Sequence, residues 1–310
     1  MSADAEARLA RVIDLLREDG RINERFVAEE AEAAASAGLA GGAMLAAACA
    51  GAGYGREQDW DAALGFLAQA AELDDAQAQA QLRLLAGDTQ GSAWRDLARR
   101  VDLAAWTAPR LGRSVLDRPQ VAMRAGFIDR ALCDWLIARA QPLMRASLVY
   151  DPVSGKPAAS EARTNSVATF GLLELDMPLL LLRQRIANTL AVPAEHFERS
   201  SVFRYQPGQT FAPHADYLEP SPQLNEELRR RGQRPYTFLI YLNDDFDGGE
   251  THFIAAGRRF RGAAGEALYF RNVDAAGAPD TMSEHEGAPP TRGEKWLFSQ
   301  FIRDKPQLPG

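Results

Sequence analysis

The sequence predicts an α+β protein in which an all-helical region precedes a mostly antiparallel double-sheet jelly roll. Residues 1 to about 100 contain no proline, and their apolar positions, such as Leu9, Val12, Ile13 and Leu16, recur at helical spacing. Beyond residue 200 the apolar runs are short, rich in β-branched and aromatic residues, and separated by glycine-rich turns. No alternation of strand and helix patterns joins these runs, which favours antiparallel pairing.

Composition limits the class of protein before any motif is considered. The chain has 310 residues, a net charge of -7 and a basic cluster only at Arg229-Arg230-Arg231, so a nucleic-acid partner is not expected. The first residues are acidic where a signal peptide would be basic, and no apolar run approaches the ~20 residues that span a bilayer. With only Cys49 and Cys133 present, the sequence predicts a cytoplasmic protein without disulfides or membrane contact.

The helical region shows an internal repeat. Residues 34–40 and 70–76 align at an offset of 36 (70 − 34), within the range of helix-pair repeats. The stretch resembles Sel1-like or tetratricopeptide-type repeats, which implies a docking or dimerisation element that binds polypeptide. An alanine-rich bundle with accidental self-similarity is the alternative. We expect a repeat region over 1–100, a linker over 101–120 and a second domain over 121–310.

Several elements of the second domain are predicted individually. Asp129 is expected to cap a helix over 129–137, and Asp176 a helix over 179–190. Strands are expected at 121–127, 201–205, 236–242, 267–270 and 295–302. Residues 150–165 are expected to form a loop, and the stretches 150–161 and 217–231 are long enough to act as mobile lids over a substrate.

One spacing in this domain suggests a metal. On an extended strand His214 and Asp216 point to the same face, and His285 precedes the last strand, where a jelly roll can return it beside them. Two imidazoles and one carboxylate leave three octahedral positions open, as non-haem Fe(II) requires. A zinc hydrolase with an open coordination position is the alternative.

Lys295 adds an anion-binding group to this set. It begins an otherwise mostly apolar strand, where a buried ammonium without a partner would cost roughly 3–5 kcal/mol. A dicarboxylate cosubstrate would supply the counter-charge. A lysine at the solvated entrance of the strand is the alternative.

Four motifs in order now resemble the prolyl 4-hydroxylase group of Fe(II)- and 2-oxoglutarate-dependent oxygenases. They are residues 204–217, 241–253, 267–272 and 285–296, within a resemblance that runs over roughly 120–305. The resemblance implies a double-stranded β-helix, Fe(II) bound by His214, Asp216 and His285, and 2-oxoglutarate held by Lys295. It also implies a cosubstrate contact from Tyr205, substrate contacts from Arg163 and Trp296, and O2 and ascorbate among the cofactors.

The function implied is oxidation of an unactivated carbon, with succinate and CO2 as coproducts. A prolyl residue of a protein or peptide is the expected substrate, docked in part by the helical region. A free amino acid or another small molecule is the first alternative. The second is a repeat-mediated interaction protein whose oxygenase domain is silent or sensory.

Overall fold

The computed structural model describes residues 2–18, 22–88, 91, 93–151, 156–158 and 160–307. The chain divides into two compact units, one containing residues up to 109 together with 170–191, the other containing 110–169 and 192–308. None of the helices in the described ranges is both long and apolar enough to cross a membrane.

The first unit is helical, and its repeat is visible in the helix boundaries. Helices α2 and α4 begin at Glu24 and Trp60, 36 positions apart (60 − 24), and α3 and α5 begin at Ala40 and Ala76, also 36 apart (76 − 40). The α-helices of the described residues are α1 Ser2–Arg17, α2 Glu24–Ser36, α3 Ala40–Ala52, α4 Trp60–Glu72, α5 Ala76–Ala86, α6 Trp94–Arg100, α7 Leu103–Thr107, α8 Arg130–Ala140, α9 Met177–Leu190 and α10 Asn225–Arg231.

Local sequence explains why these helix pairs recur. Asn23 and Asp59, at equivalent repeat positions, accept hydrogen bonds from the backbone N–H of Phe26 at 3.3 Å and Ala62 at 2.9 Å, so each caps the first helix of its pair. Within a pair the helices pack closely: a Cβ placed on Gly42 of α3 would lie 2.5 Å from the Cβ of Ala34 on α2. The predicted helix-pair repeat is therefore present, while its assignment to the Sel1 or tetratricopeptide type stays a prediction.

Helix α9 groups with this helical unit although the sequence places it within the predicted oxygenase domain. It packs against α3, α5 and α7. Its first N–H groups are satisfied by the predicted cap Asp176, which accepts from Leu179 N at 2.9 Å, and by Gln81 of α5, which accepts from Met177 N at 2.9 Å. The apolar face of α9 belongs to the alanine-rich core of the repeats, which no pattern local to 170–191 could indicate.

The described residues of the second unit form two main antiparallel sheets, of eight and four strands, and two further two-stranded sheets. The larger has the strand order β1-β2-β13-β9-β16-β7-β6-β3, and the smaller has the order β12-β11-β14-β8. Side chains from both sheets share one core, in which Phe253 and Phe260 of the smaller sheet meet Phe270 and Leu297 of the larger. This is the predicted double-stranded β-helix.

The strands of this unit are short. Their bounds are β1 Arg113–Leu116, β2 Val121–Arg124, β3 Arg145–Ala146, β4 Val149–Asp151, β5 Lys156–Ala158, β6 Ser166–Thr169, β7 Ser201–Tyr205, β8 Phe211–His214, β9 Tyr236–Tyr241, β10 Asp247–Gly248, β11 Thr251–Phe253, β12 Arg258–Phe260, β13 Ala267–Arg271, β14 His285–Gly287, β15 Pro290–Arg292 and β16 Lys295–Ile302.

Three expectations from sequence need correction. The stretch 101–120 is not an irregular linker, since it contains α7 and β1, and β1 pairs with β2 at the edge of the larger sheet. The expected loop 150–165 contains the paired strands β4 and β5, although residues 152–155 and 159 lie outside the described residues. The expected lid 217–231 ends in α10, whose arginines are partly tied, as Arg231 donates to Gln307 at 2.6 Å.

Candidate metal centre

The structure brings His214, Asp216 and His285 together. Strands β8 and β14 are neighbours in the smaller sheet, and His285 is the direct cross-strand partner of His214. One ligand atom from each of the three residues lies within 4.8 Å of the others, and this is the one such His, Cys, Asp and Glu cluster in the described part of the chain.

Backbone carbonyls fix the tautomer of both histidines. Nδ1 of His214 lies 2.8 Å from the carbonyl oxygen of Ala212, and Nδ1 of His285 lies 2.9 Å from that of Ser283. Because a carbonyl only accepts, each Nδ1 carries the proton and each Nε2 keeps a free lone pair. Those Nε2 atoms face the Asp216 carboxylate, at 3.5 Å from His214 and 3.6 Å from His285.

Charge in this cluster suits a divalent cation. Burial lowers the pKa of His285 to about 4, so its imidazole is neutral near pH 7 and available as a ligand. Burial alone would raise the pKa of the Asp216 carboxyl, but the two histidines and a hydrogen bond from Thr237 outweigh that effect and hold the pKa below its ordinary range. One carboxylate and two imidazoles, of which that of His285 is neutral, therefore converge in a desolvated place.

Lys295 lies deep in the same cavity with no hydrogen-bond partner among the described residues. Its side chain is 0% exposed, and Nζ packs over the rings of Tyr205 at 5.0 Å and Tyr241 at 5.5 Å. Burial lowers its pKa from 10.5 to about 7. A buried amine walled by aromatic rings is a site for an anionic group, and a carboxylate would restore its charge.

Strand alternation explains how these residues reach one cavity. Every second residue of β16 from Lys295 faces inward, and the facing strands contribute in the same way. The cavity is lined by Phe203, Tyr205, Phe211, His214, Asp216, Thr237, Leu239, Thr251, His285, Glu286, Gly287, Lys295, Leu297, Ser299 and Phe301.

The other predicted contacts divide into two groups. Tyr205 lines the cavity, and burial raises its pKa to about 12, so it keeps its phenolic proton. The guanidinium of Arg163 stacks on two wall residues, at 4.4 Å from the Phe211 ring and 4.9 Å from the Phe203 ring. Trp296 is not brought to the cavity: it is next to Lys295 on β16, so it faces the opposite side of the sheet.

On the opposite side of the sheet, Trp296 contacts Arg204. The guanidinium carbon of Arg204 is 5.6 Å from the ring centroid of Trp296, and Arg204 pairs with Glu294. His252 is not part of the metal cluster, and its Nδ1 lies 2.8 Å from the Glu286 carboxylate.

Sequence reasoning missed two residues that shape the centre. The Phe211 ring stacks on the His214 imidazole with centroids 3.5 Å apart. Thr237 donates to Asp216 Oδ2 at 2.7 Å. The usable signal for Thr237 was a polar residue in the otherwise apolar run 236–242, at a position that alternation turns inward.

Comparison with known proteins accounts for this arrangement. A sequence profile described as the 2OG-Fe(II) oxygenase superfamily matches residues 200–303, which include the triad and Lys295. Prolyl 4-hydroxylase 1 of Arabidopsis thaliana is 34% identical over 201 residues, covering 60% of this chain and 70% of that protein. The chain belongs to the 2OG-Fe(II) oxygenase superfamily.

Further relatives and a solved structure are similar over the same share of this oxygenase. Probable prolyl 4-hydroxylase 3 of Arabidopsis thaliana is 33% identical, covering 59% of this chain and 69% of that protein. A structure of the viral collagen prolyl hydroxylase vCPH from Paramecium Bursaria Chlorella virus-1 is 22% identical, with a TM-score of 0.46 and coverage of 61% of this chain and 98% of that chain.

The oxygenase is a 2-oxoglutarate-dependent dioxygenase that uses Fe(II), 2-oxoglutarate and O2, and its residues fit these groups. His214, Asp216 and His285 would hold the iron, and the unpartnered Nζ of Lys295 would take a 2-oxoglutarate carboxylate. The metal with its cosubstrate supplies the oxidising chemistry when bound. The chain supplies the ligand set, a fixed orientation and walls that exclude water.

Proposed function

We propose that this oxygenase hydroxylates a prolyl residue of a protein or peptide and forms succinate and CO2. The observation that carries the proposal is its similarity to proteins named prolyl 4-hydroxylases, over 201 and 203 residues of the chain. The cavity suits that chemistry, because Phe203, Phe211, Leu239 and Phe301 give it apolar walls. An unactivated ring carbon can lie against such walls without losing hydrogen bonds.

A small-molecule substrate is the second candidate, and Arg163 is the observation in its favour. Its guanidinium lies beside two wall residues, and its side chain has one hydrogen bond within the described residues, at 3.3 Å to Asn165 Oδ1. Such a group can bind the carboxylate of a free amino acid. It can equally bind the backbone carbonyl of a peptide.

Mass spectrometry separates these candidates. We would incubate the full chain with Fe(II), 2-oxoglutarate, O2 and either a library of proline-containing peptides or free amino acids, and search for addition of one oxygen atom. Hydroxylation of peptidyl proline that is absent in His214→Ala supports the proposal. Oxidation of free amino acids with unmodified peptides would replace it with the second candidate. Omitting ascorbate from the same assay tests the expected requirement for it.

We propose that the helical unit contributes to peptide docking. The docking surface would differ from the faces of α3, α5 and α7 that pack against α9, because the chain itself already covers those faces. Phe26 and Leu73 are large apolar residues of this unit that are more than a third exposed, at 37% and 39%. Serine at both positions should raise the KM for a long peptide while kcat with a short peptide stays unchanged. Docking would be contradicted if the double variant and the wild type had the same kinetics with both the long and the short peptide.

A cytoplasmic location is also proposed. Its support is that Cys49 and Cys133 are buried and unpaired, as a reducing compartment allows. Fractionation of the cells that express the protein tests it directly.

A further inference from the structure

Thr237 contacts the aspartate of the metal centre directly. It lies on β9, is 1% exposed, and places Oγ1 2.7 Å from Asp216 Oδ2. An ionised carboxylate can only accept hydrogen bonds, so the hydroxyl must be the donor. One of the two carboxylate oxygens is therefore engaged by the protein.

Asn272 determines the direction of the Thr237 hydroxyl. Its Nδ2 lies 2.9 Å from Thr237 Oγ1 and can only donate, so the hydroxyl accepts from Asn272 and gives its own proton to Asp216. The Asn272 backbone is held at both ends, donating to Pro235 O at 2.9 Å and accepting from Asp280 N at 2.9 Å. The order of donation from Asn272 through Thr237 to Asp216 has no alternative.

This arrangement carries a cost in stability. Asn272 is 0% exposed, and its Oδ1 has no hydrogen-bond partner among the described residues. A buried acceptor left without a partner costs about 1–3 kcal/mol. An apolar residue would avoid that cost but could not orient the threonine, which indicates that orientation is what the asparagine provides.

The consequence concerns how Asp216 can bind a metal. Both carboxylate oxygens face a histidine: Oδ1 lies 3.5 Å from His214 Nε2, and Oδ2, which accepts from Thr237, lies 3.6 Å from His285 Nε2. An oxygen that accepts one hydrogen bond keeps a lone pair for a metal. The contact from Thr237 therefore fixes the rotation of the carboxylate toward the two histidines and leaves both oxygens able to bind.

We propose that Thr237, oriented by Asn272, is a positioning residue that holds the Asp216 carboxylate in the orientation that binds the iron. The proposal rests on the oxygenase chemistry and is independent of which substrate is oxidised. It predicts that the threonine hydroxyl affects metal affinity and the arrangement of the ligands, which a hydroxyl that only stabilises the core would not do.

The test uses the full chain and two metals. Affinity is measured by anaerobic titration with Fe(II), and the arrangement of the ligands by the visible absorption spectrum of bound Co(II). The variants are Thr237→Val, Thr237→Ser and Asn272→Ala. Thr189→Val is the matched control, because Thr189 is also buried and its hydroxyl donates at 2.7 Å to the carbonyl of Arg185 within α9. Thermal unfolding of each metal-free protein reports its stability.

We expect Thr237→Val to weaken Fe(II) binding by about 10–100-fold, the usual effect of losing an outer contact to a metal ligand, and to change the Co(II) absorption spectrum. Thr237→Ser should bind like the wild type, Asn272→Ala should fall between, and Thr189→Val should lower stability alone. Wild-type affinity and spectrum in Thr237→Val would overturn the proposal. If Thr237→Val does not fold, wild-type affinity and spectrum in Asn272→Ala would overturn it equally.

Discussion

Gln81 in the helical unit and Lys295 in the β unit are buried to almost the same degree, at 1% and 0% exposure, yet their side chains differ in hydrogen bonding. Gln81 accepts a hydrogen bond from the backbone of Met177, so it is consumed by the fold. Lys295 has no hydrogen-bond partner in the described part of the chain. The side chain of Gln81 is used within the fold, whereas the amine of Lys295 is left to bind a molecule that is not part of the chain.

The same contrast extends to the surroundings of each residue. The core around Gln81 is built largely of alanine and leucine from the repeats and from α9. The cavity around Lys295 contains an aspartate, two histidines and two threonines. Burying polar groups costs free energy, so a cluster of them persists where something other than stability requires it. The comparison can be tested by changing one unit at a time.

The largest effect is expected from removing an iron ligand. His214→Ala leaves two protein ligands, so Fe(II) binding and the conversion of 2-oxoglutarate to succinate should both fall to background. Succinate release and anaerobic Fe(II) titration measure the two effects. His196→Ala is the control, because His196 contacts the carbonyl of Arg303 at 3.1 Å instead of the metal centre. Sustained turnover in His214→Ala would show that the cluster is not the oxidising centre.

Lys295→Met should separate activity from stability. Loss of the charge should weaken 2-oxoglutarate binding by roughly 2–5 kcal/mol, because a carboxylate would then be buried without its partner. In the absence of cosubstrate the same variant should gain roughly 1–4 kcal/mol in free energy of unfolding, since an unpaired buried amine is replaced by an apolar side chain of similar length. Isothermal titration and urea unfolding provide the two numbers. A variant that loses both affinity and stability would show that the amine supports the fold.

The pH dependence of stability gives a smaller and independent test of the same residue. The pKa of Lys295 is about 7 in the folded protein and ordinarily 10.5, so between these values the unfolded chain binds more protons at this site. The free energy of unfolding should therefore rise with pH across this window, by up to about 1.4 kcal/mol per pH unit from this group. Below pH 7 its contribution no longer changes.

Subtracting the profile of Lys295→Met from that of the wild type isolates the lysine, because the remaining titratable groups are common to both proteins. Urea unfolding at intervals from pH 7 to 9.5 measures both profiles. Parallel profiles would mean that Lys295 keeps an ordinary pKa when folded.

The features that could be predicted from the sequence are those set by residues close to one another in the chain. The caps Asp129 and Asp176 were predictable because each bonds an N–H three residues away, in Leu132 and Leu179. The triad was predictable because a period of two places His214 and Asp216 on one face of a strand. The 36-residue repeat was predictable because the sequence is similar to itself at an offset of 36 residues.

Features that depend on distant partners were not predictable in the same way. The grouping of α9 with the repeats depends on Gln81, which lies 96 positions before Met177. The resemblance places Trp296 at the substrate, whereas alternation from Lys295 turns its side chain to the opposite side of the sheet. The role of Thr237 depends on Asp216 and Asn272, which lie 21 positions before it and 35 positions after it and meet it only in the fold.

The smallest effect, and the one that completes the comparison, is expected from Gln81→Leu. This substitution matches Lys295→Met in kind, since a buried polar side chain becomes apolar, but it should have the opposite sign. The N–H of Met177 loses its acceptor in a place without solvent, so the free energy of unfolding should fall by about 1–3 kcal/mol.

Iron and 2-oxoglutarate affinities of folded Gln81→Leu should equal those of the wild type, because, among the described residues, the helical core and the lining of the cavity have no member in common. Gln184→Leu on α9 is the control: its amide bonds Asn188 at 2.9 Å at the surface, so its effect should stay within about 0.5 kcal/mol. Urea unfolding and anaerobic titration of the three proteins decide the matter. A loss of cosubstrate affinity in Gln81→Leu without any loss of stability would mean that the helical unit affects cosubstrate binding. It would contradict the view that Gln81 serves only the fold while Lys295 serves a ligand.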